Sequence, residues 1–364
     1  MDKIQVSLER KNTNSYEIFV GQDILDRIGL ILARSNWAKR YFIITDSNLS
    51  KLHGQKVQDT LAEMGLKPTL IDFHAGEASK NIHTCLELIE KLIGMGADRT
   101  SALIALGGGV VGDIAGFIAS TYMRGIPYVQ IPTTLLAQVD SSIGGKTAID
   151  LPEGKNLMGN FYQPKAVFID LSFLNTLPER EFKSGLAEIV KCGIIDDPEL
   201  FQTLETGAEE ITQRNMDFLE GIVVKSCRIK KGIVEMDETE KGMRRYLNFG
   251  HTLGHAIEAH SSYTCSHGEA VSIGMVAAAA ISKRLKYLSG QDQERINALM
   301  LALRLPRLIP QSLDTEGILA RLKVDKKKTG ERVNFILLKR LGVPFVNGGV
   351  PEEIVREVVE ELKG

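Results

Sequence analysis

The sequence predicts an α/β N-terminal domain with a mainly parallel, Rossmann-like sheet, followed by an all-α C-terminal domain. Three observations predict it. Strand-like and helix-like segments alternate over the first 177 residues, a glycine-rich turn joins one strand to the next helix, and beyond Pro178 almost every segment has helical periodicity.

Five short runs rich in β-branched or aromatic residues read as strands: Arg40–Thr45 (RYFIIT), Pro68–Phe73, Ala102–Leu106, Tyr128–Ile131 and Ala166–Asp170. Amphipathic stretches at Leu49–Met64, Ile82–Gly94 and Val110–Met123 lie between them. Strands alternating with helices run parallel, so helices are expected on both faces of the sheet. Residues 4–20 read as a flanking antiparallel pair. Helical segments then follow at Glu179–Ile194, Pro198–Leu204, Met216–Ile233, Thr252–His260, Glu269–Leu288 and Gln291–Leu303. One strand candidate, Val333–Leu338, interrupts them, and Glu352–Leu362 reads as a closing amphipathic helix. The change of pattern near Asp170–Pro178 places domains at 1–177 and 178–364. No internal repeat or low-complexity segment is evident.

A chain of 364 residues is long enough for two packed units, because single cores stop growing at about 250–300 residues. Its 44 basic and 46 acidic residues leave a net charge of −2, which gives no electrostatic reason to expect a nucleic-acid or membrane partner. The N-terminus has no apolar signal segment. The alanine-rich stretch Ala270–Ile281 falls short of the roughly 20 residues of a membrane span and reads as a buried helix. Cys85, Cys192, Cys227 and Cys265 are scattered without metal or disulfide spacing, as reduced, buried thiols of a cytoplasmic protein would be.

The run Ala102–Leu106 leads into Gly107-Gly108-Gly109-Val110-Val111-Gly112-Asp113. Glycines at 107, 109 and 112 satisfy G-x-G-x-x-G between a strand and a helix, where backbone can approach a pyrophosphate and unpaired N–H groups face the anion. The usual acidic residue about 20 positions on is missing, since Tyr128–Ile131 ends in Pro132-Thr133-Thr134. Asp46, after the strand Arg40–Thr45, is the better ribose candidate. Gly76-Glu77-Ala78-Ser79-Lys80 follows the strand Pro68–Phe73. Loops after parallel strands line one edge, so Asp46, Glu77, Lys80, the glycine turn and Thr133/Thr134 form a plausible cofactor cleft.

Four of the seven histidines fall within 17 residues: His251, His255, His260 and His267. His251 and His255 share one helical face, and a second helix begins at His267. Imidazoles from two helices with a carboxylate form a divalent-metal site with an open position. Glu188 is the carboxylate candidate, because it and Lys191 stand in an otherwise apolar helical stretch where a charge needs a partner. By spacing alone His251 pairs with His255 as well as with His267, and a set of ordinary helix-end histidines has equal standing.

Lys146, Lys155 and Lys191 are embedded in glycine-rich or apolar surroundings, with Lys230 and Arg244 near helix starts. Most lysines are solvated surface charges, whereas these suit a phosphorylated, carboxylate-bearing substrate. Gly145-Lys146-Thr147 lacks the first glycine of a phosphate loop at the required offset, so a nucleoside-triphosphatase reading is rejected.

Five strings in order resemble the 3-dehydroquinate synthase family: PTTLLAQVDSSIGGKTAID (Pro132–Asp150), GKNLMGNFYQP (Gly154–Pro164), GLAEIVK (Gly185–Lys191), LNFGHTLGHAIE (Leu247–Glu258) and HGEAVSIGM (His267–Met275). The likeness extends from about Asp46 to Asp325-Lys326-Lys327. It implies that Glu188, His251 and His267 bind zinc or cobalt, with His255 as a catalytic neighbour. It implies NAD contacts from Asp46, Glu77, Lys80, Gly108, Gly109, Asp113, Thr133, Thr134, Lys146, Lys155, Phe173 and Thr176. Substrate would be held by Asp140, Lys146, Asn156, Lys191, Lys230, Arg244, Asn248 and one of Lys326 and Lys327. Arg124 would reach the phosphate site of a neighbouring subunit, implying a homodimer.

The resemblance further implies the shikimate-pathway reaction of aromatic amino acid biosynthesis. In it, 3-deoxy-D-arabino-heptulosonate 7-phosphate becomes 3-dehydroquinate and phosphate. The steps are transient oxidation by NAD, phosphate elimination, re-reduction, ring opening and aldol closure. Lys230, Arg244 and Asn248 are suited to gripping a carboxylate, which favours this branch over other sugar phosphate cyclases. A metal-dependent NAD alcohol or glycerol dehydrogenase is the rival enzyme reading. A non-catalytic sensor would leave the phosphate-suited cations unexplained.

Overall fold

The computed structural model describes residues 15–240, 242–262, 264–329 and 333–363, and the side chains of 324–329 lie outside that description. The chain forms two compact units. One comprises Met1–Phe19, Asp23–Pro132 and Gly145–Asp170; the other comprises Val20–Gln22, Thr133–Gly144 and Leu171–Gly364. The second unit thus takes in the short segment Thr133–Gly144, which a single boundary along the chain does not represent.

The first unit is built on a six-stranded sheet. Its strands are β1 (Glu17–Gly21), β2 (Arg40–Asp46), β3 (Thr69–Phe73), β4 (Ser101–Gly107), β5 (Tyr128–Pro132) and, after the hairpin described below, β8 (Ala166–Asp170). Their order is β1-β8-β5-β4-β2-β3, and the pairs β2–β3, β2–β4, β4–β5 and β5–β8 are parallel. The expected parallel sheet is therefore present. Residues 1–14, where the flanking pair was expected to begin, lie outside the described residues.

Alternation along β2 assigns its two faces. Phe42 and Ile44 share a core with Cys85, Leu88 and Leu92 of helix Ile82–Gly94 and with Val111, Ile114 and Ile118 of helix Gly109–Thr121. Tyr41 points the other way, its hydroxyl donating to the Leu32 carbonyl of helix Leu25–Arg34 at 3.2 Å. After β2 the chain adds β3 on one side and then returns to add β4 on the other. The crevice beyond the carboxyl ends of β2 and β4 is thus the topological switch point, where ligands of such sheets bind.

Several elements escaped the sequence reading, among them the helices Leu25–Arg34 and Thr315–Thr329 and two hairpins. β6 (Lys146–Leu151) and β7 (Gly154–Phe161) form an antiparallel hairpin where only glycine-rich loops were apparent. The otherwise helical second unit carries the hairpin of β9 (Phe335–Arg340) and β10 (Val343–Asn347), of which Val333–Leu338 anticipated one strand.

Three helices of the second unit carry the carboxylate and histidines of the candidate metal centre: Glu179–Ile195, His251–His260 and His267–Arg284. The last is buried along most of its length, as its alanine-rich stretch suggested, and no described helix is long and apolar enough to cross a membrane. Its start is set by a capping box. Glu269 N–H donates to Ser266 Oγ at 3.4 Å, and Ser266 N–H donates to Glu269 Oε2 at 2.7 Å, which fixes His267 as the first helical residue. The His251 helix begins after Gly250, whose φ of 80° turns the chain into it. All four cysteines are free and buried.

Candidate active site

In the first unit, strand register brings the carboxyl ends level. Asp46 pairs with Phe73, and Ile44 with Ala105, so Asp46 ends β2 alongside the Gly107–Gly109 turn. Its carboxylate accepts from Asn48 N–H at 2.8 Å and Leu49 N–H at 3.1 Å, capping the helical turns that follow β2. Lys80 is buried and pairs with Asp113, in the helix after the glycine turn, at 2.5 Å. It also donates to Asn156 Oδ1 at 2.5 Å, while Lys155 lies 3.4 Å from Glu77. The hairpin turn of β6–β7 is thereby fastened to the Glu77–Ser79 turn. Asp150 completes the fastening: its carboxylate accepts the Asn156 N–H at 2.7 Å, and its own N–H donates to the Lys80 carbonyl at 2.8 Å. Lys80 and Asn156, assigned to cofactor and substrate by resemblance, touch each other. Lys146 begins β6 and is exposed, as is Arg124 in the turn after helix Gly109–Thr121.

Burial pushes the Asp113 carboxyl up, Lys80 offsets this only in part, and the group titrates at about 6. A carboxyl whose folded value lies above its unfolded one stabilises the fold fully below the unfolded value, and loses that contribution as pH rises through the folded one. Asp113→Asn takes the anion from buried Lys80 at either pH, and the melting temperature of the nucleotide-free variant, measured against wild type, is expected to be more favourable at pH 7.5 than at pH 4.5. Thermal melts at both pH values check this; an equal difference at both would contradict it.

In the second unit, one buried carboxylate meets two imidazoles. Glu188 Oε1 lies 3.6 Å from His251 Nε2 and 3.6 Å from His267 Nε2. These distances are too long for hydrogen bonds. They match the separation of about 3.3–3.6 Å between two atoms that share a tetrahedral ion at roughly 2.0–2.2 Å. Both Glu188 oxygens are buried; Lys191 forms an ion pair with Oε2, and Oε1 faces the two imidazole rings. A divalent cation fits this donor set and would satisfy those oxygens.

Electrostatics agree with a site made for positive charge. Burial raises the Glu188 carboxyl, yet Lys191 and the two histidines outweigh it and hold it well below the usual carboxylate range. Burial pushes His251 down to about 3, keeping its ring a neutral ligand. Burial also disfavours a charged His267, but Glu188 and Glu258 outweigh it and raise that ring to about 9. His255 is exposed, with its ring centre 5.3 Å from that of His251 and 5.9 Å from that of His267. Of the two pairings left open by spacing, the structure brings His251 and His267 onto Glu188, with His255 at the edge.

Further cations lie in the same unit. Lys230, on helix Met216–Met236, donates to the Asp140 carbonyl and Oδ1 at 2.5 Å each. Burial raises the Asp140 carboxyl, but Lys230 and Lys191 together hold it below its ordinary value. Arg244 is buried and donates to the carbonyls of Glu238 at 2.5 Å and Gly144 at 3.2 Å. Asn248 Nδ2 donates to Glu240 Oε1 at 3.0 Å. Thr133 is buried, and Thr134 Oγ1 accepts the Ala137 N–H at 3.1 Å, at the start of the π-helical turn that carries Asp140. Phe173 is buried, and the Thr176 hydroxyl donates to its carbonyl at 3.1 Å. Lys326 and Lys327 fall in helix Thr315–Thr329, with side chains outside the described residues.

Sequence reasoning missed Asp150, Glu240 and Glu258. For Glu258 a signal existed: it follows His251 and His255 at i+7 and i+3, on the same helical stripe.

The sequence matches the family model for the 3-dehydroquinate synthase N-terminal region over residues 70–184, and that for the C-terminal region over residues 185–328. This chain belongs to the 3-dehydroquinate synthase family. The family's enzyme from Thermoanaerobacter pseudethanolicus is 46% identical over 357 residues, covering 98% of this chain and 99% of that one. Among solved structures, 2-epi-5-epi-valiolone synthase from Streptomyces hygroscopicus subsp. jinggangensis, with NAD+ and Zn2+ bound, superimposes with a TM-score of 0.89. It is 29% identical and covers 99% of each chain. A 2-deoxy-scyllo-inosose synthase complexed with carbaglucose-6-phosphate, NAD+ and Co2+ gives 0.81, at 27% identity over 94% of this chain and 96% of that one. Membership of the 3-dehydroquinate synthase family does not favour the dehydrogenase reading.

Proposed function

We propose that the chain is a phosphate-eliminating lyase of the cytoplasm, converting 3-deoxy-D-arabino-heptulosonate 7-phosphate to 3-dehydroquinate with catalytic NAD and zinc or cobalt. The observation that carries this is the convergence of Glu188, His251 and His267 beside the buried Lys191, in a chain of this family. When bound, the dinucleotide and the ion would supply transient hydride removal and Lewis acidity.

The chain's residues do the rest. Glu188, His251 and His267 hold the ion. In the first unit Asp46, Glu77, Lys80, Gly108, Gly109, Asp113, Lys146 and Lys155 are assigned to the dinucleotide. An ammonium has three donors, and Lys230 gives two to Asp140, which leaves one for a substrate oxygen. Asp140, held ionised by Lys230 and Lys191, accepts a substrate hydroxyl. Arg244 and Asn248 hold the carboxylate end, where the planar guanidinium suits a carboxylate. His255 is placed at the exposed edge to exchange a proton with substrate. Arg124 is assigned to the phosphate site of a second copy, which makes the enzyme a homodimer.

The test is phosphate release from the seven-carbon substrate with far less NAD than substrate. Many phosphates per NAD, without accumulating NADH, are expected. A chelator should stop the reaction, and Zn2+ or Co2+ should restore it. Stoichiometric NADH without phosphate would overturn the reading in favour of a dehydrogenase.

A further inference from the structure

Glu258 is 8% exposed, on helix His251–His260, and so little exposure for a carboxylate calls for a partner. Its Oε2 lies 3.5 Å from Nδ1 of His267, on the neighbouring helix. The opposite nitrogen of that ring, Nε2, faces Glu188 at 3.6 Å. The imidazole thus stands between two carboxylates, one on each nitrogen.

A neutral imidazole has one N–H and one lone pair. If Nε2 gives its lone pair to a divalent ion, the proton must sit on Nδ1, and the ring then needs an acceptor there. The other imidazole solves the same problem differently: His251 Nδ1 lies 3.2 Å from the Phe249 carbonyl oxygen, which no side-chain substitution removes. For His267 the acceptor is a charged side chain, which orients the ring and makes it a more basic ligand.

We propose that Glu258 is a positioning residue of the metal centre, whose carboxylate accepts the Nδ1 proton of His267 and so turns Nε2 towards the ion. The proposal rests on the metal reading given above. Because Glu258 grows from the His251 helix and holds a ring on the His267 helix, it also couples the placement of the two imidazoles. Glu258, His255 and His267 form a second group with ligand atoms within 4.8 Å of one another, so direct ligation of another ion is the competing role.

The experiment compares the full-length wild type with E258Q, E258D and D314N. Co2+ and Zn2+ affinities are read by chelator competition, along with bound metal per chain and the visible spectrum of the Co2+ form. Asp314 serves as control because it pairs with His260 at 2.9 Å, at the far end of the same helix. E258Q keeps the shape and loses the charge. It is expected to bind metal about 10- to 100-fold more weakly, with a shifted Co2+ spectrum. E258D should fall between E258Q and wild type, and it decides the matter if E258Q does not fold; D314N should stay within about threefold of wild type. With metal saturating, kcat should fall in E258Q while KM for substrate holds. Wild-type affinity and spectrum in E258Q, or in E258D if that variant alone folds, would overturn the proposal. Two ions in wild type, one of them lost in E258Q, would do so as well. A wild type that binds no metal would instead overturn the metal reading, and this proposal with it.

Discussion

Replacing Glu188 by alanine is expected to abolish metal retention and to lower turnover about a thousandfold or more, because Lewis-acid assistance is worth several kcal/mol. It is also expected to destabilise the metal-free fold. Lys191 is almost wholly buried beside Glu188, and removing one partner of a buried pair leaves an uncompensated charge, at about 3–5 kcal/mol. His267→Ala separates the two effects. It leaves the Glu188–Lys191 pair in place, so metal and turnover should be lost, while any destabilisation of the metal-free fold arises from Glu258, which loses the ring 3.5 Å away, and not from an unpaired lysine. Metal analysis of the purified variants, beside melts in chelator, reads both quantities. Full metal content and turnover in Glu188→Ala would remove the proposed centre.

The second large effect concerns residues that touch no ligand. A Cβ built on Gly274 would lie 1.9 Å from the Gly250 carbonyl oxygen and 2.9 Å from Gly254 N, both backbone atoms of the partner helix or its cap. One on Gly268 would lie 2.2 Å from Ser184 Cα, in the helix that carries Glu188. These contacts set how closely the three metal-site helices approach. Backbone cannot rotate away as a side chain can, so Gly274→Ala must push helices apart. A loss of about 3 kcal/mol or more is expected, lowering the melting temperature by roughly 5–10 °C and weakening metal binding as His251 and His267 separate. Gly221→Ala is the contrast. It sits on helix Met216–Met236 with nothing within 4 Å of the added carbon, so a stabilisation of about 0.4–1 kcal/mol is expected. Equal melting of the two variants would refute the close-packing account.

The strands of the first unit could be read from sequence because runs such as Arg40–Thr45 concentrate β-branched and aromatic residues in short segments, here buried from Tyr41 to Thr45. The β6–β7 hairpin could not. Its second strand, Gly154–Phe161, is largely exposed and lacks an apolar alternation, and its placement comes from Lys80, Asp150 and Glu77 binding the turn. The histidine cluster was visible as spacing, and Glu188 as a charge in an apolar run. Periodicity gives the face of one helix, however, and says nothing about which residue of a neighbouring helix meets it. Glu258 illustrates the limit: spacing puts it on the stripe of His251 and His255, but only the structure shows the His267 ring of the neighbouring helix beside it.

Sequence alone determined the alternating architecture, the glycine turn, the family likeness and the inventory of chemical groups, because these depend on local periodicity and residue type. The family likeness already implied the set Glu188, His251 and His267, whereas tertiary structure alone supplied the distances at which they meet, spent Lys230 largely on Asp140 and set Glu258 behind His267. Those outcomes depend on distances between helices, and backbone contact at Gly274 and Gly268 sets them through atoms that no pattern along the chain encodes.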